Sequence, residues 1–304
     1  MTATWTTIHL ARAALKLGHD VIFIEPWDFS VDSTRGPRAR GAFFSGSSPS
    51  AAQMVAKLTT RQHRRKMVNI SSLDMLMIRA APLDTTILTF CLIAESVGVS
   101  VVNAPRGALT VSHKAWLPTV PDAPIPATLV TRSHGAATTF FDVLGRDVIV
   151  KPARGSGGES VYRIAAGDQE EFLHATERTA ARGDGYVVIQ AYMARADEGE
   201  VRVMVVDGNP LCAYLRTKDD GAVVHNLRQG GTATAIDITP EQAASLKKLR
   251  SPLLALGIRF AGVDMIGHEV VEVNALNPGG VFHADRLNGT DYGCEVISRL
   301  ARKL

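Results

Sequence analysis

Gly262 to Gly280 reads GVDMIGHEVVEVNALNPGG, and its central part, Val263 to Asn274, decides the fold. Apolar and polar residues alternate on both sides of Gly267, His268 and Glu269, the pattern of two short strands joined by a tight three-residue turn. Folded about His268, the chain sets Asp264 opposite Glu272. Strand side chains repeat with a period of two, so Asn274 shares a face with Glu272 and three oxygen-bearing groups converge. Two carboxylates facing each other across a ladder repel, and a hard cation between them removes that repulsion. Carboxylate and amide oxygens are the donors that Mg²⁺ accepts beside substrate phosphates, so Asp264, Glu272 and Asn274 form a candidate metal set. The plainer reading is a solvated acidic edge.

A second element upstream is suited to phosphates. In VIVKPARGSGGESVYRI, Val148 to Ile164, an apolar strand leads to Lys151, a loop carrying Gly155, Gly157 and Gly158, and a strand from Ser160 to Ile164. Glycines let backbone N–H groups turn toward an anion without interference from a Cβ. A Walker A loop would end in Gly-Lys-Ser/Thr and open a helix, and a dinucleotide fingerprint would also open a helix. Neither follows here. Strand, glycine loop and strand make a flap that folds over a nucleotide, with Lys151 at its base; the plainer reading is a flexible hairpin.

KPARGSGGESVYRI, VIQAYM, EGEVRVMVVDGNP, HNLRQGG and GVDMIGHEVVEVN stand in the order and spacing of the ATP-grasp ligases. From about Lys114 onward the chain most resembles the prokaryotic glutathione synthetase group, with a weaker echo upstream. The resemblance implies an α/β (α+β) ATP-grasp fold of three domains, with ATP between the central and C-terminal ones. It implies an ATP-dependent carboxylate-amine ligase, in which a carboxylate activated as an acyl phosphate is attacked by an amine to form an amide or peptide bond. ATP and Mg²⁺ (or Mn²⁺) would be the cofactors and the protein a homo-oligomer. By position, Lys114 and Lys151 would contact the ATP phosphates with Gly155, Gly157 and Gly158, Gln190 and Tyr192 would line the adenine pocket, and Glu200 would meet the ribose. Arg202 and Arg216 would face the phosphoryl group and act in catalysis, and Asp264, Glu272 and Asn274 would hold the metal. His225, Asn226, Gly279 and Gly280 would touch the substrate. Two departures bear on that substrate: Leu276 and Asn277 replace small hydroxyl residues, and His225 replaces an arginine before Asn226. The reading therefore keeps the reaction and leaves the substrate as an amino acid or a small peptide, γ-glutamyl peptides included.

Composition agrees with an enzyme. With 304 residues, 46% hydrophobic and 21% charged, the chain can bury the cores of two or three domains. No apolar run approaches a membrane span and the start lacks a secretory signal, which places the protein in the cytoplasm, without a membrane partner. Cys91, Cys212 and Cys294 are odd in number and widely spaced, so neither a disulfide framework nor a zinc site is expected. A net charge of +3 argues against a nucleic-acid partner. Arg61, Arg64, Arg65 and Lys66 read as a solvated helix face.

Three parts follow: residues 1–112, an N-terminal doubly wound domain; 113–187, the central part with the glycine flap; and 188–304, the C-terminal part with the metal site. A helix from Thr6 to Leu17 stops at Gly18 before a strand Val21 to Ile24. Gly41 to Ser50 has turn composition. A strand Leu73 to Ile78, a helix Thr85 to Val97 and the strand VSVVN complete a small βαβ-like unit. Such domains usually open on a strand and this one opens on a helix, so its first strand is expected to be missing. Thr239-Pro240-Glu241-Gln242 is a helix start with a capping box; Pro252 should bend or break that helix and Gly257 end it. One alternative stands beside the ligase, a non-catalytic ATP-binding regulatory or partner protein on the same scaffold; a small-molecule kinase is a minor third.

Overall fold

The computed structural model describes residues 2–60, 64–80, 84–155, 158, 160–218 and 231–302. Helix α1 (Thr6–Lys16) buries Ile8, Leu10, Ala11 and Leu15, spaced for one face, and stops where Gly18 takes a left-handed φ of +87°. Strands β1 (Val21–Phe23), β2 (Phe29–Asp32) and β3 (Gly36–Phe44), helix α2 (Ala51–Thr59) and strand β4 (Arg65–Asn69) follow. The three shorter strands all pair antiparallel with β3. Then β5 (Met75–Met77), α3 (Thr85–Ser96) and β6 (Ser100–Val102) form a parallel βαβ unit, and α4 (Pro105–Ser112) closes this part.

Two expectations fail here. Gly41 to Phe44 belong to β3 rather than to a turn, and a Cβ on Gly41 would lie 2.5 Å from the Phe23 carbonyl oxygen, so glycine is what lets β1 approach. Arg65 and Lys66 lie on strand β4, not on a helix. Arg65 pairs with Asp28, just before β2, at 2.5 Å and the Lys66 ammonium sits 4.5 Å from the ring centre of Phe43 on β3, so the neighbouring chain supplies acidic and apolar partners that a solvated helix would lack. The N-terminal part is thus half βαβ, with Val21 to Phe23 in a separate antiparallel sheet.

The central sheet contains β7 (Thr128–Thr131), β8 (Val148–Pro152), β9 (Tyr162–Ile164) and β10 (Val187–Ala191) in the order β7-β10-β8-β9. Strand β10 lies whole in this sheet. Helices α5 (His134–Leu144) and α6 (Gln169–Ala181) cover one face, burying Val148, Val150, Val187 and Ile189 around Phe141 and Phe172, whose rings stack 4.3 Å apart. Period two then sends Lys151 and Gln190 to the other face.

The C-terminal sheet runs β13-β12-β11-β14-β15, built from β11 (Glu200–Val206), β12 (Asn209–Thr217), β13 (Thr232–Ala235), β14 (Phe260–Ile266) and β15 (Glu269–Asn274). Helix α7 (Pro240–Ala255) opens on the expected capping box of Thr239 and Gln242 and stops before Gly257 at φ +67°. It runs through Pro252 without ending, contrary to expectation, because Leu246, Leu249 and Leu253 seat it on the sheet. Helices α8 (Val281–Asn288) and α9 (Tyr292–Ala301) pack on the opposite face with α1. Asn103 ties the N-terminal part to this sheet: its amide donates to the carbonyls of Phe260 and Ala275 at 2.6 Å and its carbonyl accepts from the Arg259 and Phe260 amides at 2.8 Å.

Candidate active site

Along β11 and β14 the odd-numbered residues Val201, Val203, Val205, Ala261, Val263 and Met265 pack toward α7, which leaves Glu200, Arg202, Gly262 and Asp264 on the other face. The β14–β15 hairpin sets Asp264 opposite Glu272 and Gly262 opposite Asn274. The register is as expected and the route is not. Ile266 pairs with Glu269, so the turn has two residues, Gly267 and His268, and a bulge restores the register between Met265 and Asp264. Without that bulge Val271 would face Asp264; bulges of this kind re-aim side chains beside active sites.

Asp264, 4% exposed, is the hub of this face. Arg202 donates to both of its oxygens, Nε to Oδ1 at 2.5 Å and Nη2 to Oδ2 at 2.7 Å. Arg216 Nη2 donates to Oδ1 at 2.6 Å and also pairs with Glu200, and Asn274 Nδ2 donates to Oδ2 at 3.0 Å. Burial pushes the Asp264 carboxyl up, but Arg202 and Arg216 outweigh it and hold the group below the ordinary carboxylate range. Gly262 leaves the room this needs, since a Cβ there would lie 2.8 Å from Arg202 Nη1.

The central sheet faces this cluster with lysines. Lys151 Nζ donates to Gln190 Oε1 at 3.0 Å and to the Val271 carbonyl at 3.4 Å. Burial pulls its ammonium down to about 8, with the Glu272 charge opposing and Lys114 adding to the fall. Lys114 Nζ donates to the Gly155 carbonyl at 3.1 Å and lies 3.6 Å from Glu272 Oε1. Gly155 at φ +133° and Gly158 at φ +77° occupy backbone regions that other residues avoid; Gly157, His225 and Asn226 lie outside the described residues.

The structure thus brings together Lys114, Lys151, Gln190, Glu200, Arg202, Arg216, Asp264, Glu272 and Asn274. It separates Gln190 from Tyr192. Gln190 reaches from Lys151 to Thr128 Oγ1 at 3.0 Å, whereas Tyr192 donates to Asp197 at 2.8 Å, lies under the Arg163 guanidinium at 3.7 Å, and lines a cavity of about 280 Å³ with Met193 and His268. The Gly279 carbonyl accepts from Arg202 Nη1 at 3.0 Å. Gly280, at φ +134°, donates its N–H to Thr6 Oγ1 at 3.0 Å, and a Cβ there would lie 2.8 Å from the Tyr214 hydroxyl, so packing alone accounts for this glycine.

Sequence reading missed the group that anchors the glycine loop. Asp184 accepts from Arg154 Nε at 3.2 Å, lies 3.3 Å from His113 Nε2, and accepts from the Tyr186 amide at 3.1 Å. His113 precedes Lys114 and Arg154 precedes Gly155, so one carboxylate ties the segment carrying Lys114 to the start of the loop; Asp184 between two glycines was the available signal. A half-buried arginine at position 79 was missed as well.

Chemically, the face offers cations to a polyphosphate and oxygens to a hard metal. The Arg216 Nε–H is buried and meets no acceptor among the described residues, which suits a phosphoryl oxygen. Among the described residues no three His, Cys, Asp or Glu side chains gather as a metal site, and the donor set here is two carboxylates and an amide. Its chemistry fits Mg²⁺, and the Asn274 carbonyl oxygen carries no hydrogen bond among the described residues. Asp264 accepts four hydrogen bonds, two on each oxygen and about the full capacity of a carboxylate, so a cation at either oxygen must displace one of them.

Comparison with known proteins agrees with this geometry. A model of the N-terminal domain of prokaryotic glutathione synthetases matches residues 2–108, and a model of their ATP-grasp domain matches residues 115–289. A glutathione synthetase of Thermosynechococcus vestitus is 32% identical over 222 residues, 72% of this chain and 69% of that protein. One of Gloeobacter violaceus is 27% identical over 313 residues, 97% of this chain and 91% of that protein. In fold, the D-alanine-D-alanine ligase from Coxiella burnetii matches with a TM-score of 0.63 at 12% identity, over 98% of this chain and 90% of that one. The chain belongs to the prokaryotic glutathione synthetase family of the ATP-grasp superfamily and is an ATP-dependent, ADP-forming carboxylate-amine ligase.

Proposed function

We propose that this ligase forms its amide through an acyl phosphate, on an amino acid or a small, γ-glutamyl-type peptide, with Mg²⁺ held by Asp264, Glu272 and Asn274. The observation that carries the reading is the charged face around Asp264, where two arginines and two lysines converge on a floor of metal-type oxygens. Phosphoryl transfer is catalysed by positioning and by compensating negative charge, and these are the side chains that do both.

In the first step a carboxylate oxygen of the acid attacks the γ-phosphorus of ATP and ADP leaves. Lys151 and Lys114 neutralise the phosphates, Glu200 takes the ribose, and Arg202 and Arg216 hold the transferred group, Arg216 through an Nε–H that is otherwise unmatched. Mg²⁺, when bound, supplies charge neutralisation across the phosphate oxygens. In the second step the amine attacks the acyl carbon and phosphate leaves, releasing one proton. Gly155 and Gly158 bring backbone N–H groups to the phosphates, and Asp184 fixes the approach to Gly155 through Arg154.

Gln190 serves this reading as a support for Lys151 rather than as an adenine contact. The catalytic reading is favoured over a non-catalytic nucleotide-binding protein by the complete set Lys151, Arg216, Asp264, Glu272 and Asn274. The test is a panel of acids, including glutamate and γ-glutamyl dipeptides, each with and without amine acceptors, under Mg-ATP. ADP release that needs one acid-amine pair, with a product mass equal to their condensation, is the expected result. Silence across the panel with intact ATP binding would return the question to the non-catalytic alternative.

A further inference from the structure

Outside the phosphate face, the least compensated charge is Arg79. It follows β5 directly, past Ile78, whose amide is bonded to the Val102 carbonyl at 2.8 Å. Its guanidinium donates to two neutral groups: Nε to Thr7 Oγ1 on α1 at 3.2 Å and Nη1 to the Pro278 carbonyl of the C-terminal part at 2.9 Å. Nη2 meets no acceptor among the described residues. Arg202 and Arg216, which the fold buries, and Arg259, half-buried like Arg79, each meet a carboxylate, Asp264 for the first two and Asp207 for the third. Arg79 meets none. Burial pulls its guanidinium down to about 9 with no acidic neighbour opposing the fall, and because arginine keeps its proton in proteins, the group stays charged and lacks a counter-ion.

Its position connects it to the reaction. Pro278 and Gly279 are adjacent, and while Arg79 bonds the first carbonyl, Arg202 bonds the second at 3.0 Å. The same corner is pinned by Thr6, whose hydroxyl accepts the Gly280 amide at 3.0 Å. Two guanidinium groups therefore flank one short turn, one occupied by Asp264 on the phosphoryl side and one without an anion on the side of the N-terminal part.

We propose that Arg79 binds a substrate carboxylate that the reaction leaves unchanged, either the second carboxylate of the donor or that of an amino-acid acceptor. The assignment rests on the ligase reading above. A planar guanidinium with a free N–H edge favours a carboxylate over a neutral amide, and the hydrogen bonds of a charged pair set the size of the preference at roughly ten- to a hundredfold.

The test uses the full chain and compares kcat/KM for acids and amides. Donors are glutamate or γ-glutamylcysteine, intact or amidated at the carboxylate that is not activated; acceptors are glycine or cysteine, intact or as the C-terminal amide. Wild-type protein should disfavour one of the two amidations by about ten- to a hundredfold, and which one identifies the source of the carboxylate. Arg79→Met should lose that preference, with the acid falling and the amide unchanged, and Arg79→Lys should recover part of it. Equal losses on acid and amide in Arg79→Met would assign Arg79 to holding the Pro278 turn and overturn the subsite, as would a wild-type protein indifferent to both amidations. ADP release by no pair would overturn the ligase reading itself, and with it the subsite, before any variant is compared.

Discussion

The two faces of the C-terminal sheet come from the same strands and serve opposite ends. On the odd face of β11, Val201, Val203 and Val205 meet Leu246, Leu249 and Leu253 of α7, and every side chain is apolar. On the even face, Glu200 and Arg202 meet Arg216 and Asp264, while two residues further along Met204 and Val206 return to an apolar core under α8 and α9. Burial stabilises the odd face simply by removing apolar area from water. The charged stretch is stable only as a set: the arginines hold Asp264 ionised, and Asp264 in turn neutralises them. The difference teaches that substitutions on the two faces should separate stability from chemistry.

The largest effect belongs to Asp264→Asn. It should lower kcat by roughly a thousandfold or more through loss of the metal oxygen and the arginine clamp, and, by leaving the buried Arg202 guanidinium without its carboxylate while Arg216 keeps Glu200, destabilise the fold by about 3–5 kcal/mol. Steady-state kinetics with chemical denaturation reads both. Glu272→Gln should lower kcat by roughly a hundredfold with an unchanged denaturation midpoint, because Glu272 touches Lys114 and does not pack; normal turnover would remove the metal assignment. Leu249→Ala is the opposite case. A stability loss of about 2–5 kcal/mol with kcat held within about threefold is expected, and a comparable loss of kcat would show that the two faces are not separable.

Smaller effects come from the central sheet. Burial leaves the Lys151 ammonium titrating near 8, so ATP binding to the free protein should weaken as pH rises through that value, as the charge facing the phosphates is lost. The sign for stability is the reverse. The unfolded lysine holds its proton up to its ordinary, higher range, so between about 8 and that range the unfolded state binds more protons and the fold gains stability with pH. Calorimetric titration of ATP with wild type and Lys151→Met across this range checks the first point, since the variant should show no such inflection. Gly158→Ala, at φ +77°, should raise the KM for ATP by a few-fold, with the acid KM unchanged.

Much of the site was legible because strands write their faces at period two. Asp264, Glu272 and Asn274 could be placed on one side from alternation alone, and Arg202 and Arg216 followed from neighbouring strands. The bulge after Asp264 was not legible, since a three-residue turn and a two-residue turn with a bulge set the same pair opposite. What the sequence could not show is that Asp264 would be clamped by both arginines, a contact between three strands. The N-terminal part was read least well. GPRARGAFF and RKMVN carry glycine, proline and charge at the positions where a strand prefers β-branched residues, and they become strands only because each finds β3 or its partner. Arg79 was hidden for a similar reason: one arginine after an apolar run looks like the end of a strand until the turn at Pro278 is folded onto it.

The most direct test of the account follows oxygen. The acid carrying ¹⁸O in both carboxylate positions is incubated with Mg-ATP and its amine partner, and the released phosphate and the amide are analysed by mass spectrometry. An acyl phosphate formed on the Asp264 face transfers one carboxylate oxygen to phosphorus, so the account predicts one ¹⁸O in each phosphate released and one in each amide carbonyl. Unlabelled phosphate, with amide still formed, would contradict it.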